Sequence, residues 1–443
     1  MKDLQTLFNA ESVAIVGASN KIGKKGYEIL SNLVAGGYEG RIYPINPKDP
    51  EIQGLKAYKS LSEIDDKIDL IVIVVPSKFV STVLEEAGEL SIHNVVIITG
   101  GFREIGCNEL DSAMLAAAEK YDINIVGPNC QGINYTPNKM CVSWPLIRGK
   151  GPMAIVAQSG TVAAQFGISA GKDGLGISGL VSLGNKSGLT ENDFLEFFGS
   201  DPNTKAIALN LEGIKDGPEF LRLAKDIRRE KPIVILKPGR TAKGIIAAQS
   251  HTKSIAGSDR IFDAACRQYG LIRAGGVDEL YDFTKILGFT SKPAGNKIQI
   301  ITSSGGSGIL ATDIFEENGV DLIEMNSGLK ENLINKLPSH CVVANPLDLT
   351  GDTDALRYEI CVEEAIKHND SDMFLLIFGD PIPQAYEVVS RLKEKTEKPI
   401  IICYLGGGEV EDEETRKMHL AGIPTFPTPT RAAKAIGILC KQK

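Results

Sequence analysis

The chain has 443 residues, 43% of them hydrophobic and 23% charged, an ordinary balance for a globular protein and too long for one compact core. Acidic residues outnumber basic ones 56 to 48, giving a net charge of −8, which argues against bulk nucleic-acid binding but leaves room for a local basic pocket. Eight scattered cysteines form no C-x-x-C pair, so zinc and redox motifs are not expected and a reducing compartment is.

The N-terminus runs into a strand without a cleavable signal, and no apolar run approaches the ~20 residues that span a bilayer. The expected location is therefore cytoplasmic. "SVAIVGASNKIGKKGYEIL" (12–30) predicts a strand, a Gly/Ser loop and a helix, whose first backbone N–H groups suit a pyrophosphate. Gly17 fits the dinucleotide pattern G-x-G-x-x-G, but Ser19 stands at its second glycine. In place of the expected acid, "RIYPINPKD" brings Lys48 after the second strand. A cation there suits a terminal phosphate, the 3′-phosphate of coenzyme A or the 2′-phosphate of NADP. The strand ends "VVPSKF" and "ITGGFRE" supply Val75, Pro76, Ser77 and Thr99 as further lining of an adenine–pantetheine groove.

"VGPNCQG" places Asn129 beyond another strand and reads as an anion-binding helix end. The stretch 134–152, rich in Pro, Gly and polar residues, reads as a domain boundary; Trp144 within it is the only tryptophan, so no aromatic stacking platform is expected. "AQSGTVAAQFG" then puts Ser159, Gly160 and Thr161 at a strand-to-helix junction, a second anion site. "IALNLEG" ends a strand at Glu212. From "KPGR" the chain crosses about twenty residues before a helix near Ser258, and this long connection carries His251. A neutral imidazole is a good nucleophile towards phosphorus near neutral pH, with Glu212 as the carboxylate that supports its charged form. The other histidines (93, 340, 368, 419) show no metal-ligand spacing, and no metal site is expected. "QIITSSGGSGILATDIFEENG" and "EKPIIICYLGGG" echo the earlier strand–Ser-Gly–helix and Lys-Pro–strand pattern. Eleven short apolar runs separated by helical stretches argue for doubly wound α/β domains, the last two alike, with a second boundary at 290–296.

The segments "AIVGASNKIGKKG", "YPINPK", "VGPNCQGINY", "AQSGTVAAQFG", "SLGNKSGLTENDFLEFFGSDPNTKAIALNLEGI", "PGRTAKGIIAAQSHTKSIAGSD" and "NPLDLTG", in this order, resemble the α subunit of ADP-forming acyl-CoA (acetyl-CoA) synthetases. More distantly they are similar to the succinyl-CoA synthetase α subunit. The resemblance implies a Rossmann-like coenzyme A-binding domain at 1–130 and two flavodoxin-like doubly wound domains at 131–292 and 293–443. It implies a transiently phosphorylated His251 partnered by Glu212, with phosphate held at Ser159–Thr161 and near Asn129. Coenzyme A contacts fall on Gly17, Ser19, Lys48, Val75 to Ser77 and Thr99. The implied reaction converts acyl-CoA, ADP and phosphate into acid, ATP and coenzyme A. Nothing in the chain looks like an ATP-grasp domain, so a separate β subunit holding Mg²⁺ with ADP or ATP, in an α2β2 assembly, is implied; nucleic acid and membrane are not. Lys253 departs from the family, which commonly has glycine there. A coenzyme A-sensing subunit without catalysis and an NADP-dependent oxidoreductase remain the alternative readings.

Overall fold

The computed structural model describes residues 4–252 and 258–442. They form two compact units, Met1–Lys172 with Gly176–Leu280, and Asp173–Leu175 with Tyr281–Lys443.

The first unit holds two large sheets and a two-stranded ribbon, Glu51–Ile52 with Leu55–Lys56. Strands β1 (Ser12–Val16), β2 (Arg41–Ile45), β3 (Leu70–Ile73), β4 (Asn94–Ile97) and β5 (Asn124–Val126) pair in parallel in the order β2-β1-β3-β4-β5. Their connections carry helices α1 (Lys25–Ala35), α2 (Val80–Glu89) and α3 (Asn108–Lys120). The second sheet comprises β6 (Gly132–Tyr135), β7 (Met140–Ser143), β8 (Lys150–Ala157), β9 (Ile177–Ser182), β10 (Ala206–Asn210), β11 (Ile233–Leu236) and β12 (Ile272–Arg273), in the order β12-β11-β10-β8-β9-β6-β7. Helices α4 (Gly160–Lys172), α5 (Glu191–Ser200), α6 (Gly217–Ile227), α7 (Ala242–Thr252) and α8 (Asp259–Tyr269) alternate with its parallel strands.

Side chains alternate across the first sheet, and both faces are buried. Val13, Ile15, Val72, Val96 and Val126 join a core continuous with that of the second sheet, while Ala14, Ile71, Ile73, Val95 and Ile97 pack with Leu84 and Met114 of the helices behind. Phe8 belongs to the shared core: its ring stacks on Phe197 at 4.1 Å and lies 5.5 Å from Tyr135. Burying such a ring completely contributes about 1.5–3 kcal/mol.

In the second unit, α9 (Val277–Phe289) leads into β13 (Lys297–Thr302), α10 (Gly305–Asn318), β14 (Asp321–Leu322), α11 (Ser327–Ile334), β15 (Leu347–Asp348), α12 (Ala355–His368), β16 (Met373–Phe378), α13 (Ala385–Lys395), β17 (Ile400–Tyr404), α14 (Gly408–Leu420), β18 (Thr425–Phe426) and α15 (Pro429–Cys440). The sheet order is β14-β13-β16-β17-β18, with β15 added beside β13. The doubly wound α/β class expected from the sequence is the one that forms. Counting the parallel strands in chain order and setting β15 aside, the three large sheets all read 2-1-3-4-5.

Across the boundary stretch 134–152, β6 and β7 form an antiparallel hairpin, and β6 adds to β9 at the sheet edge. One local expectation is corrected. The connection after β11 is not an extended loop, because eleven of its residues form α7. Alanine, lysine and glutamine are strong helix formers, and the Thr241 hydroxyl accepts the Gly244 N–H at 3.1 Å as a cap.

Candidate active site

In a doubly wound sheet the ligand edge lies beyond the carboxyl ends of the strands. At that edge of the second sheet, the Gln158 N–H donates to the Asn210 carbonyl at 2.8 Å, extending the β8–β10 ladder by one rung. The Gln158 side-chain oxygen accepts two backbone N–H groups, from Glu212 at 2.7 Å and Gly213 at 3.0 Å. Just beyond β9, Lys186 (φ 57°) donates from Nζ to the Gly213 carbonyl at 2.7 Å and pairs with Glu191 at 2.8 Å. Glu191 is fully buried, and its second oxygen accepts the Lys215 N–H at 3.1 Å. Such a buried pair is tolerated because the Gly213 carbonyl and the Lys215 N–H add a hydrogen bond to each partner. The turn 212–215 is thus held by three side chains, from the end of β8, the loop after β9 and the start of α5.

Beyond β5 the chain turns through a cis Gly127–Pro128 bond and Asn129 (φ 57°) directly into β6. Asn129 therefore does not start a helix, contrary to the sequence expectation; it occupies a strand-to-strand turn, in a left-handed conformation that asparagine tolerates. Its N–H donates to the Thr99 carbonyl at 2.9 Å, and its amide donates to the Asn185 side chain at 3.3 Å. Asn185 in turn donates to Glu104 at 2.5 Å, and Arg103 donates to the Asn185 carbonyl. Burial raises the Glu104 pKa, but hydrogen bonds from Gly101, Asn185 and Phe102 outweigh it and leave the carboxyl below its usual range.

These elements enclose a cavity of about 750 Å³. Ser159, Gly160, Thr161, Asn129 and Glu212, all singled out from the sequence, line it together. Gly160 opens α4 against Gln131, whose Cγ would lie 2.5 Å from an added Cβ, so the helix start approaches as closely as only glycine permits. Gln158, Asn185, Lys186, Glu104 and Trp144 also line the cavity and were not singled out for it. Cys130 is buried there with its thiol pushed up to about 12 by burial, so it is no nucleophile at neutral pH.

The residues expected to meet coenzyme A lie at the same edge of the first sheet. Gly17 (φ 96°) follows β1, and an added Cβ would sit 3.0 Å from Val75. Thr99 donates its hydroxyl to the Val75 carbonyl at 2.6 Å, and Gly101 packs beside Ser77. Pro76 is exposed between them. Ser19 accepts the Lys21 N–H at 3.0 Å. Lys48 is exposed, and its backbone N–H is held by Asn46, which also donates to the Ala18 carbonyl of the glycine loop. Helix α1 starts without a side-chain cap, leaving its first amides for an anion.

His251 falls in the last turn of α7, and its side chain lies outside the described residues, as does Lys253 altogether. No described helix is long and apolar enough to cross a membrane.

Residues 11–136 match a CoA binding domain, 150–287 a succinyl-CoA ligase like flavodoxin domain, and 298–441 a Ligase-CoA domain. The chain is 40% identical to the acetate–CoA ligase [ADP-forming] I subunit alpha of Pyrococcus furiosus, over 99% of its own length and 97% of the relative's. It is 37% identical to the acetate–CoA ligase [ADP-forming] I of Archaeoglobus fulgidus, matching 98% of its own length but only 63% of that longer chain. Among solved structures, the dinucleotide forming acetyl-coenzyme A synthetase 1 of Ca. Korarchaeum cryptofilum, in complex with phosphate and ADP, superposes with a TM-score of 0.92 at 35% identity. That match covers 100% of this chain and 97% of the other. The full-length likeness in sequence and fold makes this chain a member of the family of ADP-forming acetate–CoA ligase α subunits.

Proposed function

We propose that the chain is the α subunit of a cytoplasmic ADP-forming acyl-CoA ligase, interconverting acyl-CoA, ADP and phosphate with acid, ATP and coenzyme A. One observation carries the reading: the α4 start, Asn129 and Glu212 line one cavity, and Asn129 is hydrogen-bonded to Thr99 in the row of strand ends assigned to coenzyme A. On this reading the domains divide at 1–130, 131–292 and 293–443. Gly17, Ser19, Lys48, Val75, Pro76, Ser77 and Thr99 hold coenzyme A, with Lys48 at its terminal phosphate.

Inorganic phosphate sits at the amides and hydroxyls of Ser159, Gly160 and Thr161, beside Asn129. A phosphate oxygen attacks the thioester carbonyl, the C–S bond breaks, and the thiol leaves as free coenzyme A with an acyl phosphate behind. A ring nitrogen of His251 then attacks phosphorus; the P–O bond to the acyl group breaks and the carboxylate departs. Glu212 accepts the other ring N–H and supports the charge that develops, while the helix start neutralises the phosphoryl oxygens. His251 finally passes the phosphoryl group to the β-phosphate of ADP, bound with Mg²⁺ on an ATP-grasp β subunit in an α2β2 assembly. The part of the A. fulgidus relative that lies outside its 63% match supports such a partner.

Incubating the chain with acetyl-CoA and phosphate, alone and with its β partner, should add one phosphate at His251, read by mass spectrometry, and none in His251→Asn. A wild-type chain that stays unphosphorylated in the presence of the partner would overturn the reading.

A further inference from the structure

We infer that the indole of Trp144 is the rigid wall that sets the acyl size limit of this ligase, restricting it to short aliphatic acyl groups. The inference rests on the functional reading above and names the substrate end of the same cavity.

The thioester carbonyl must meet phosphate at the α4 start, with the thiol arriving from the Thr99 side. The hydrocarbon attached to that carbonyl then needs apolar surface. Among the described residues the cavity lining is polar or charged nearly throughout, and apolar side chains come from Trp144, Ile214 and Cys130. Cys130 offers little, being 6% exposed and directed at the Ile97 carbonyl at 3.3 Å. Ile214 rides on the turn clamped by Gln158, Lys186 and Glu191.

Trp144 is held from several directions. Its backbone N–H donates to the Gln131 carbonyl at 3.3 Å. Its carbonyl accepts from the buried amide of Asn32 in α1 at 2.8 Å, and the same amide donates to Ser143 at 2.9 Å. The Lys25 ammonium, at the start of α1, lies 3.5 Å from the centroid of the indole ring. The main-chain bonds fix where the ring is rooted, and the Lys25 ammonium over its face and its packing against the hydrophobic core hold the ring in place, so its size is read directly as a steric limit. A bulky flexible side chain at the same place would discriminate far less.

The test uses the complete enzyme, this chain with its β partner, and compares kcat/KM for acetyl-CoA, isobutyryl-CoA and phenylacetyl-CoA. Trp144→Leu should raise the phenylacetyl-to-acetyl ratio about tenfold or more, the scale on which apolar pockets discriminate. Ile214→Phe, at a half-buried position on the turn after β10, should lower the isobutyryl-to-acetyl ratio about tenfold. Should Trp144→Leu fail to fold, Trp144→Phe, which keeps a ring but a smaller one, is expected to shift the isobutyryl ratio upward. Ratios within about twofold of wild type in every folded variant would overturn the inference. Phosphohistidine formation by the wild type separates the two failures: if it is absent, the functional reading falls, and if it is present with unmoved ratios, only the role of Trp144 does.

Discussion

Gln158 fixes the backbone of Glu212 with one oxygen that accepts two N–H groups, so removing that oxygen leaves two donors unpaired and the carboxylate proposed to support His251 free to drift. A displacement of about 1 Å at such a site costs on the order of 10²-fold in rate. Gln158→Leu should therefore slow single-turnover phosphorylation of His251 by about that factor while KM for acyl-CoA stays put; Gln158→Glu, which keeps an acceptor, should recover most of it. An equal loss in both variants would mean that the amide, not the acceptor, matters. Lys186→Met should cost about 3–5 kcal/mol in denaturant unfolding, because it strands the buried Glu191 charge, and Lys186→Met with Glu191→Leu should recover much of the loss. Ser159, Gly160, Thr161, Asn129 and Glu212 were legible in the sequence because small or polar residues ending an apolar run announce a strand-end loop. Gln158 was not, since its value lies in a contact with a residue 54 positions away. Trp144 was passed over for a different reason: a lone aromatic makes no stacking platform, but one fixed ring is enough to make a wall.

At the scale of elements, the glycine loop and α1 pack so closely that a Cβ on Gly26 would lie 2.0 Å from the Gly17 carbonyl oxygen. Gly26→Ala must push the loop off its path, at a cost of about 1–3 kcal/mol. Calorimetric titration should show coenzyme A binding weakened at least tenfold on the scale of that displacement; unaltered affinity would place the ligand away from this loop. All eleven apolar runs read as strands became strands, because burial on both sheet faces leaves a continuous apolar signature. The β6–β7 hairpin lacked that signature: Thr136, Pro137 and Asn138 carry strong turn chemistry between two four-residue strands, and the turn drowned out the strands. Helix α7 was missed through its small residues, which look loop-forming although alanine is the best helix former of all.

At the scale of the whole molecule, one strand order used three times places a ligand-competent edge in each of the large sheets, and the same order explains why the internal echo is visible in the sequence. Stability should carry a distinct acid signature from the second unit. His419 is buried with its Nε2 against the Thr425 hydroxyl at 2.9 Å, and burial depresses its pKa to about 4, with Asp173 opposing and Lys285 adding to the shift. The native state thus binds this proton less readily than the unfolded chain, so the contribution is complete above about pH 6.5 and is lost as pH falls towards 4. The loss over that window is about 3 kcal/mol. Denaturant unfolding from pH 7 to 4 should show it in the wild type, and His419→Asn should flatten that part of the curve; identical slopes would assign the acid sensitivity to carboxylates. The single tryptophan has an optical consequence too. Light absorbed selectively by indole is absorbed at the cavity wall and nowhere else in the chain. The Lys25 cation over that ring sits at the start of the helix that follows the glycine loop, so an anionic ligand that draws the cation towards itself changes the field on the chromophore. Titration with coenzyme A should therefore move the emission of the unlabelled protein, which makes this enzyme its own reporter of occupancy.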